Sequence, residues 1–123
     1  TAMALILIVD DSPTEVHVMQ RALERSGYRT AVARDGQEGL QLARQMRPDL
    51  IFMDIVMPGM NGYQATRMLV SDPDTRGIPV IMVSSKGQST DRIWGLRQGA
   101  VDYLVKPVSA EQLVEKAQAL LAA

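Results

Sequence analysis

The amino-acid sequence predicts a doubly wound α/β domain, in which helices cover both faces of a parallel sheet. Short apolar runs, typical of buried strands, alternate along the chain with segments that have the signals of amphipathic helices. The alternation occurs five times, and helical crossovers between parallel strands are right-handed and cover the sheet. At 123 residues, of which 46% are hydrophobic, the chain has the size of one domain with its own core, so two domains are not expected.

Five runs of apolar and β-favouring residues are predicted as strands. The first is continuous in apolar residues, as expected of a strand that is covered on both faces. The third is equally apolar, but it ends on the carboxylate of Asp54 and is followed by a turn-forming segment. The predicted strands are Ala4 to Val9, Arg29 to Ala33, Asp49 to Met53, Pro79 to Ser84, and Asp102 to Val105.

The first two helices are predicted from start and stop signals. Ser12 and Glu15 have the spacing of a capping box, and the helix that follows stops at Gly27. The dipeptide at 35–36, Asp-Gly, is interpreted as a turn, and the second helix ends before Pro48. The buried stripe of this second helix is predicted to consist of Leu40, Ala43 and Met46.

Three further helices complete the pattern. The third runs from Asn61 to about Ser71, and the fourth runs from Thr90 to Gln98 and is closed by a glycine. The last helix is capped by Ser109, with a glutamine three residues further on. Its predicted apolar face consists of Leu113, Val114, Ala117, Leu120 and Leu121.

The composition argues against several classes of function. The net charge is −1, and the basic residues are scattered among acids, so no cationic surface for nucleic acid is expected. Without cysteine the chain has no disulfide and no thiolate metal site, which fits a reducing compartment. The apolar run near the N-terminus is too short to span a bilayer. A cytoplasmic protein that binds neither nucleic acid nor membrane is therefore expected.

Several polar residues end or follow the predicted strands, all at the carboxyl edge of the sheet. In doubly wound sheets, ligands bind at this edge, where the strand order reverses. The residues are Asp10, Asp11, Asp54, Ser84 and Lys106. If the first and third strands are neighbours, three carboxylates converge at one place.

Converging carboxylates require compensation by a cation or a proton. Two of them about 4 Å apart repel by roughly 4 kcal/mol at an effective dielectric constant near 20. Magnesium prefers oxygen ligands and is usually held by one or two carboxylates together with phosphate oxygens. A carboxylate at a rigid strand end, beside such an ion and within reach of Lys106, is suited to attack phosphorus and form an aspartyl phosphate. Asp54 is the candidate nucleophile.

Taken singly, each of these residues also has a purely structural interpretation. Asp10 or Asp11 alone is more often the N-cap of the first helix. Asp54 before a Pro-Gly pair is often only a turn residue. Lys106 alone is consistent with a solvated lysine, and the single histidine, His17, is predicted to be an exposed helix residue rather than a ligand. The coincidence of five such groups at one edge favours the functional interpretation.

Four segments together resemble the receiver domain of bacterial two-component response regulators. They are "IVDDS", "MDIVMPGMNG", "VSS" and "YLVKP", and the resemblance covers the chain from about Ala4 to Leu121. Each segment alone is weak evidence, but their combination in this order and spacing is specific. The resemblance implies one receiver domain over residues 4–121, with a flavodoxin-like parallel sheet of strand order 2-1-3-4-5.

The resemblance also implies a role for each site residue. Asp54 would accept a phosphoryl group from the phosphohistidine of a sensor histidine kinase. Asp10, Asp11 and Asp54 would hold Mg²⁺ together with the backbone carbonyl of Val56. Lys106 would pair with the phosphoryl oxygens, and its peptide bond to the following proline would be cis. Such a protein is a phosphoacceptor rather than an enzyme, since it catalyses only its own phosphotransfer and slow dephosphorylation.

Two further residues match the switch positions of these receivers. The Ser84 hydroxyl would turn toward the phosphoryl group, and Tyr103 would move into the space that it leaves. Serine replaces the more frequent threonine at this position, and Val56 and Lys86 occupy positions that influence how fast the phosphate is lost. The lifetime of the phosphorylated form is therefore left open.

A narrower resemblance lies in "PVIMVSSKGQSTDRIWGLRQGAVDYLVKPV". Trp94 and Gly95, followed by "RQGA", are similar to small stand-alone regulators of type IV pilus twitching motility, which belong to a chemotaxis-like pathway. The resemblance implies that there is no output domain. Such a regulator would dock to a downstream motor or pilus protein, or would drain phosphate from a shared kinase.

Other classes of protein fit the sequence less well. An aspartate-nucleophile phosphatase needs a second acid two residues after the nucleophile, where this chain has Val56. A flavin-binding protein of similar fold needs a phosphate loop rich in Gly, Ser and Thr after the first strand, where this chain has the acidic "DDSPTE". A receiver-like interaction module that works without phosphorylation stays as the alternative, although no element of the site is missing.

Overall fold

The computed structural model describes residues 3–121 and contains one parallel sheet. Its strands lie in the order β2-β1-β3-β4-β5, and every neighbouring pair is parallel. The predicted fold class and strand order are therefore confirmed. The strands are β1 (Leu5–Val9), β2 (Arg29–Ala33), β3 (Leu50–Met53), β4 (Val80–Ser84) and β5 (Asp102–Val105).

Five helices connect and follow these strands. They are α1 (Pro13–Arg25), α2 (Gly36–Met46), α3 (Gly62–Ser71), α4 (Ser89–Arg97) and α5 (Ala110–Leu121). Each corresponds to a predicted helix, and apart from the start of α2, for which no first residue was predicted, the ends agree to within about two residues. None of the helices within residues 3–121 combines the length and the apolar character that a membrane crossing needs.

The core consists of two apolar layers, one on each face of the sheet. Successive strand residues point to opposite faces, so Ile6 and Ile8 pack with α1 and α5, while Leu7 and Val9 pack with α2 and α3. All five residues of β1 are apolar and buried, so this strand offers no polar side chain. Asp10, Asp54 and Lys106 each follow the end of a strand directly, and Ser84 is the last residue of β4.

Two details of α2 differ from the sequence prediction. Asp35 and Gly36 do not form a separate turn, because Asp35 is the N-cap of α2 and its carboxylate accepts a hydrogen bond from the Glu38 amide at 2.8 Å. Met46 is not part of the buried stripe, since it lies in the last turn with 45% of its surface exposed. The chain turns immediately after it through Arg47, which has a left-handed backbone conformation.

The last helix buries a narrower face than its sequence predicts. Leu113 and Ala117 are buried, Val114 and Leu121 are half-buried, and Leu120 is exposed. The predicted capping box of this helix is confirmed, because Ser109 and Gln112 exchange side-chain and backbone hydrogen bonds at 3.1 Å.

The fourth helix is the least buried of the five. Only Gly95 is buried in it, and its three large apolar residues Ile93, Trp94 and Leu96 are all exposed. A Cβ atom on Gly95 would lie 3.2 Å from the Tyr103 ring, so the glycine lets α4 approach that ring closely. The contact between α4 and the sheet thus depends on a small number of side chains.

Candidate phosphoryl and metal site at the carboxyl edge of the sheet

Backbone hydrogen bonds continue the sheet ladder beyond the strands and fix three site residues at the carboxyl edge of the sheet. The Asp10 amide donates to the Ala33 carbonyl at 3.0 Å, and the Asp54 amide donates to the Val9 carbonyl at 2.9 Å. The Lys106 amide donates to the Ser84 carbonyl at 2.8 Å. Since Val9 and Met53 are also paired in register, Asp10 and Asp54 lie side by side just beyond the strands. The adjacency of the first and third strands brings the carboxylates together as the sequence predicted.

Three carboxylates form a cluster at this edge. Asp10, Asp11 and Asp54 each offer an oxygen atom within 4.8 Å of the others. Asp10 and Asp54 are 2% and 7% exposed, whereas Asp11 is exposed to solvent. The Ser12 amide donates to one oxygen of Asp10, and the Ile55 amide donates to one oxygen of Asp54, each at 2.9 Å. The second oxygen of Asp10 accepts a hydrogen bond from Lys106, whereas the Ile55 amide and Lys106 both contact the same oxygen of Asp54.

Lys106 is the cation of the site. Its ammonium group lies 3.0 Å from Asp10 and 3.4 Å from Asp54, and the Glu15 carboxylate also accepts a hydrogen bond from it. Burial alone would lower the pKa of Lys106, but the hydrogen bonds to Glu15 and Asp10 and the nearby negative charges raise it above its usual value. Lys106 is therefore positively charged under all ordinary conditions. The peptide bond between Lys106 and Pro107 is cis, which confirms the sequence prediction.

The lysine only partly compensates the buried carboxylates. Burial raises the pKa of Asp54 to about 6 and the charge of Asp10 acts in the same direction, while Lys106 and the Ile55 amide lower it. Asp54 is thus held in an environment that disfavours its negative charge. A further cation at this position would stabilise the ionised form.

The donor atoms of the cluster fit a small divalent ion. All three ligating groups are hard carboxylate oxygens, and none of the three is a nitrogen or a sulfur atom. The exposure of Asp11 leaves one side of the cluster open to water, which Mg²⁺ usually keeps in its coordination shell. Val56 lies in the loop directly after Asp54 with an exposed side chain, so its contribution to a metal site would have to come from its backbone.

The loop after β3 folds back tightly onto the site. The Gly62 amide donates to the Ile55 carbonyl at 2.9 Å, and a Cβ atom on Gly62 would lie 2.0 Å from the Asp54 carbonyl oxygen. Only glycine allows this approach. The first turn of α3 therefore buttresses the backbone that carries Asp54.

The two predicted switch residues both form hydrogen bonds with the backbone of Lys86. Ser84 is buried at the end of β4, and its hydroxyl accepts a hydrogen bond from the Lys86 amide at 3.3 Å. Tyr103 is also buried, and its hydroxyl donates to the Lys86 carbonyl. Burial raises the pKa of Tyr103 to about 12, so the phenol stays protonated and able to donate. The ring of Tyr103 already occupies the inner position beneath α4.

Sequence reasoning missed two polar residues near the site. Glu15 was interpreted only as part of a capping box, but its carboxylate contacts Lys106. Tyr63 had no predicted role, and its hydroxyl donates to the Asp91 carbonyl at 3.2 Å, linking α3 to the start of α4. The sequence contains no periodic signal for either contact, because each joins segments that are far apart along the chain. His17 is exposed on α1, as predicted.

The fold and this arrangement of residues agree with the comparison to known families. The model for the response regulator receiver domain matches residues 6–118. The chain belongs to the response regulator receiver domain family. Its five parallel strands in the order 2-1-3-4-5 agree with the fold of a solved chemotaxis relative.

Individual relatives narrow the comparison. The chain is 55% identical over 120 residues to Protein PilH of Pseudomonas aeruginosa, and the match covers 98% of this chain and 99% of PilH. Its structure is similar to that of the Vibrio cholerae chemotaxis protein CheY4, with a TM-score of 0.91, 32% identity, and coverage of 98% of this chain and 100% of that one.

A third relative was solved with a metal ion. The receiver domain of the sensor histidine kinase PA1611 from Pseudomonas aeruginosa carries a magnesium ion coordinated in its active site cleft. The TM-score is 0.91 at 32% identity, and the match covers 99% of this chain and 100% of that domain.

Proposed function

We propose that this protein is a phosphoacceptor response regulator that receives a phosphoryl group on Asp54 from the phosphohistidine of a sensor histidine kinase. The observation that carries the proposal is the position of Asp54. It is a nearly buried carboxylate at the end of β3, with two further carboxylates within 4.8 Å and a lysine ammonium 3.4 Å away. A site with these charges suits a divalent cation and a phosphoryl group bound together.

The transfer would form an acyl phosphate on the aspartate. An oxygen of Asp54 attacks the phosphorus atom, the P–N bond to the histidine breaks, and its electron pair returns to the imidazole, which takes up a proton. Lys106 would pair with a phosphoryl oxygen and offset the negative charge of the transferring group. Asp10, Asp11, Asp54 and the Val56 carbonyl would hold Mg²⁺, which when bound supplies Lewis-acid stabilisation of the phosphoryl oxygens.

Phosphorylation would be read out through Ser84 and Tyr103. Moving a two-state equilibrium from 1:99 to 99:1 takes about 5.5 kcal/mol. Two or three new hydrogen bonds to a charged phosphoryl group, at roughly 1.5 to 3 kcal/mol each, are of that order. Among the hydrogen bonds of residues 3–121, the Ser84 hydroxyl takes part in a single long one, which it accepts from the Lys86 amide at 3.3 Å. Weak packing of α4 makes the α4, β5 and α5 face the region that would respond.

We place this regulator in a pilus or chemotaxis-type signalling pathway. The proposal rests on the 55% identity to Protein PilH over nearly the whole of both chains. Its partners would then be a histidine kinase of that pathway and a downstream motor or pilus protein. A time course of phosphotransfer from such a kinase tests the placement, and transfer no faster than from unrelated kinases would count against it.

Intact mass spectrometry tests the phosphoacceptor directly. The protein and its Asp54→Asn variant are incubated with acetyl phosphate, each with and without Mg²⁺. We expect a single phosphoryl adduct on the native protein that needs Mg²⁺ and does not form on the variant. An absent adduct, or one that persists in Asp54→Asn, would favour an interaction module that works without phosphorylation.

A further inference from the structure

Glu15 does not complete the capping box that its sequence position suggests. The Ser12 hydroxyl accepts a hydrogen bond from the Glu15 amide at 3.4 Å, as a cap should. The return bond is missing, because the Ser12 amide donates to Asp10 instead. The Glu15 carboxylate is thereby released from its local role and accepts a hydrogen bond from the ammonium group of Lys106.

Lys106 therefore has three carboxylates around one ammonium group. Glu15 is the nearest, Asp10 lies at 3.0 Å, and Asp54 is the farthest at 3.4 Å. An ammonium group has three N–H donors, and Glu15 and Asp10 take two of them, while Asp54 lies at ion-pair distance. A phosphoryl group on Asp54 would bring new oxygen atoms to a lysine that has at most one donor not used by Glu15 or Asp10.

Of the two partners other than Asp54, Glu15 is the easier one to release. Asp10 is 2% exposed and is fixed by the Ser12 amide, so breaking its contact with Lys106 would leave a buried charge poorly compensated. The Glu15 side chain is 45% exposed at the first turn of α1, where water can replace the lysine. Its charge is also favourable near the N-terminus of that helix without any partner.

We infer that Glu15 is a positioning residue that holds Lys106 in the unphosphorylated protein and competes with the phosphoryl group for it. This inference rests on the proposed function of Asp54. Through Glu15, α1 would influence how tightly the site binds a phosphoryl group. Each phosphorylation would then exchange the Glu15–Lys106 contact for a contact between Lys106 and the phosphoryl group.

Removing the competitor should strengthen the binding of a phosphoryl mimic. Beryllofluoride is titrated into the native protein, Glu15→Gln and Glu15→Asp, with Mg²⁺ saturating for each, and binding is followed by backbone amide NMR. We expect Glu15→Gln to bind the mimic roughly two- to fivefold more tightly, the range that corresponds to a partly exposed ion pair. Glu15→Asp retains the charge but is one methylene shorter, so it should lose the contact and behave like Glu15→Gln.

The aspartate variant separates the contact from the general effect of charge. Tighter binding by Glu15→Gln alone, with Glu15→Asp unchanged from the native protein, would mean that only the local negative charge matters and would overturn the inference. Unchanged binding in both variants would overturn it as well.

A second measurement observes the lysine without metal or mimic. The chain has three lysines, Lys86, Lys106 and Lys116, so their side-chain NMR signals can be assigned individually. Glu15→Gln should shift the signal of Lys106 and leave the other two unchanged, and a Lys106 signal that does not move would overturn the inference. If the native protein bound no mimic while the Lys106 signal still shifted, the proposed function and the competition would both fall and only the contact would stand.

Discussion

Replacing Gly62 by alanine should both destabilise the fold and disturb Asp54. The new Cβ atom would lie 2.0 Å from the Asp54 carbonyl oxygen and 2.8 Å from the Ile55 Cα. Both neighbours are backbone atoms of the segment that carries the candidate phosphoacceptor, so no side chain can rotate away to relieve the clash. The start of α3 and the loop after β3 would have to separate by about 1 Å, as overpacked sites do.

The size of the effect follows from two opposing contributions. Overpacking of this kind costs about 1 to 3 kcal/mol. Alanine recovers less than about 1 kcal/mol through its better helix propensity, since residue 62 is the first residue of α3. A net loss of about 1 to 2 kcal/mol in the free energy of unfolding should lower Tm by about 3 to 10 °C for a domain of this size.

Thermal unfolding followed by circular dichroism measures this loss, and Gly77→Ala is the matched control. A Cβ atom on Gly77 would have no heavy atom within 4 Å, so that variant should unfold at nearly the native temperature. The yield of phosphoryl adduct at a temperature where both variants are folded measures the effect on Asp54. If Gly62→Ala matched Gly77→Ala in both Tm and adduct yield, the close approach would have no energetic consequence and the reasoning would be refuted.

Two other predictions concern acid stability and helix capping. Burial alone would raise the pKa of Asp102, but the hydrogen bonds from Lys116 and the Tyr103 amide lower it below its usual value. The ionised Asp102 therefore stabilises the folded protein at pH values above the unfolded pKa of about 4. This contribution to the free energy of unfolding is lost as the pH falls through the folded pKa. In urea unfolding over this pH range, the free energy of unfolding of Asp102→Asn should depend less on pH than that of the native protein. The control is Glu115→Gln, at an exposed acid without an ion pair in residues 3–121, which should leave the pH dependence unchanged. Equal pH dependence in the native protein and Asp102→Asn would contradict the lowered pKa of Asp102. Asn61→Ala removes a reciprocal capping box at the start of α3 and should cost about 1 kcal/mol in urea unfolding; an unchanged midpoint would show that the cap contributes nothing.

The sequence was sufficient for the fold class because the three central strands, β1, β3 and β4, are nearly continuous apolar runs. Five strand-like runs with helical segments between them leave few arrangements other than a doubly wound sheet. The order 2-1-3-4-5, however, came from family resemblance rather than from the pattern of apolar residues. The errors lie at helix ends, such as Asp35 and Met46, where a local hydrogen bond or a change of backbone direction decides which residues are buried.

The sequence predicts those site residues whose positions follow from the backbone of the sheet. Asp10 and Asp54 follow neighbouring strands, and their amides continue the hydrogen-bond ladder, so strand adjacency alone brings them together. Glu15 was missed for the opposite reason. Its contact with Lys106 joins residues 91 positions apart through two long side chains, and the Ser12 amide that a capping box would offer to Glu15 donates to Asp10.

This difference separates the rigid parts of the site from the parts that can respond to phosphorylation. The ladder hydrogen bonds of Asp10, Asp54 and Lys106 fix their backbones to the sheet, so these residues cannot move far without disrupting the core. The contacts that can change are those of the Lys106 ammonium group, because a phosphoryl group would give it more acceptors than it has N–H donors. The contacts of α4 can also change, because this helix buries only Gly95 against Tyr103. A change at Asp54 would therefore pass through exchangeable side-chain contacts on both sides of a fixed sheet, toward α1 through Glu15 and toward α4 through Ser84 and Tyr103.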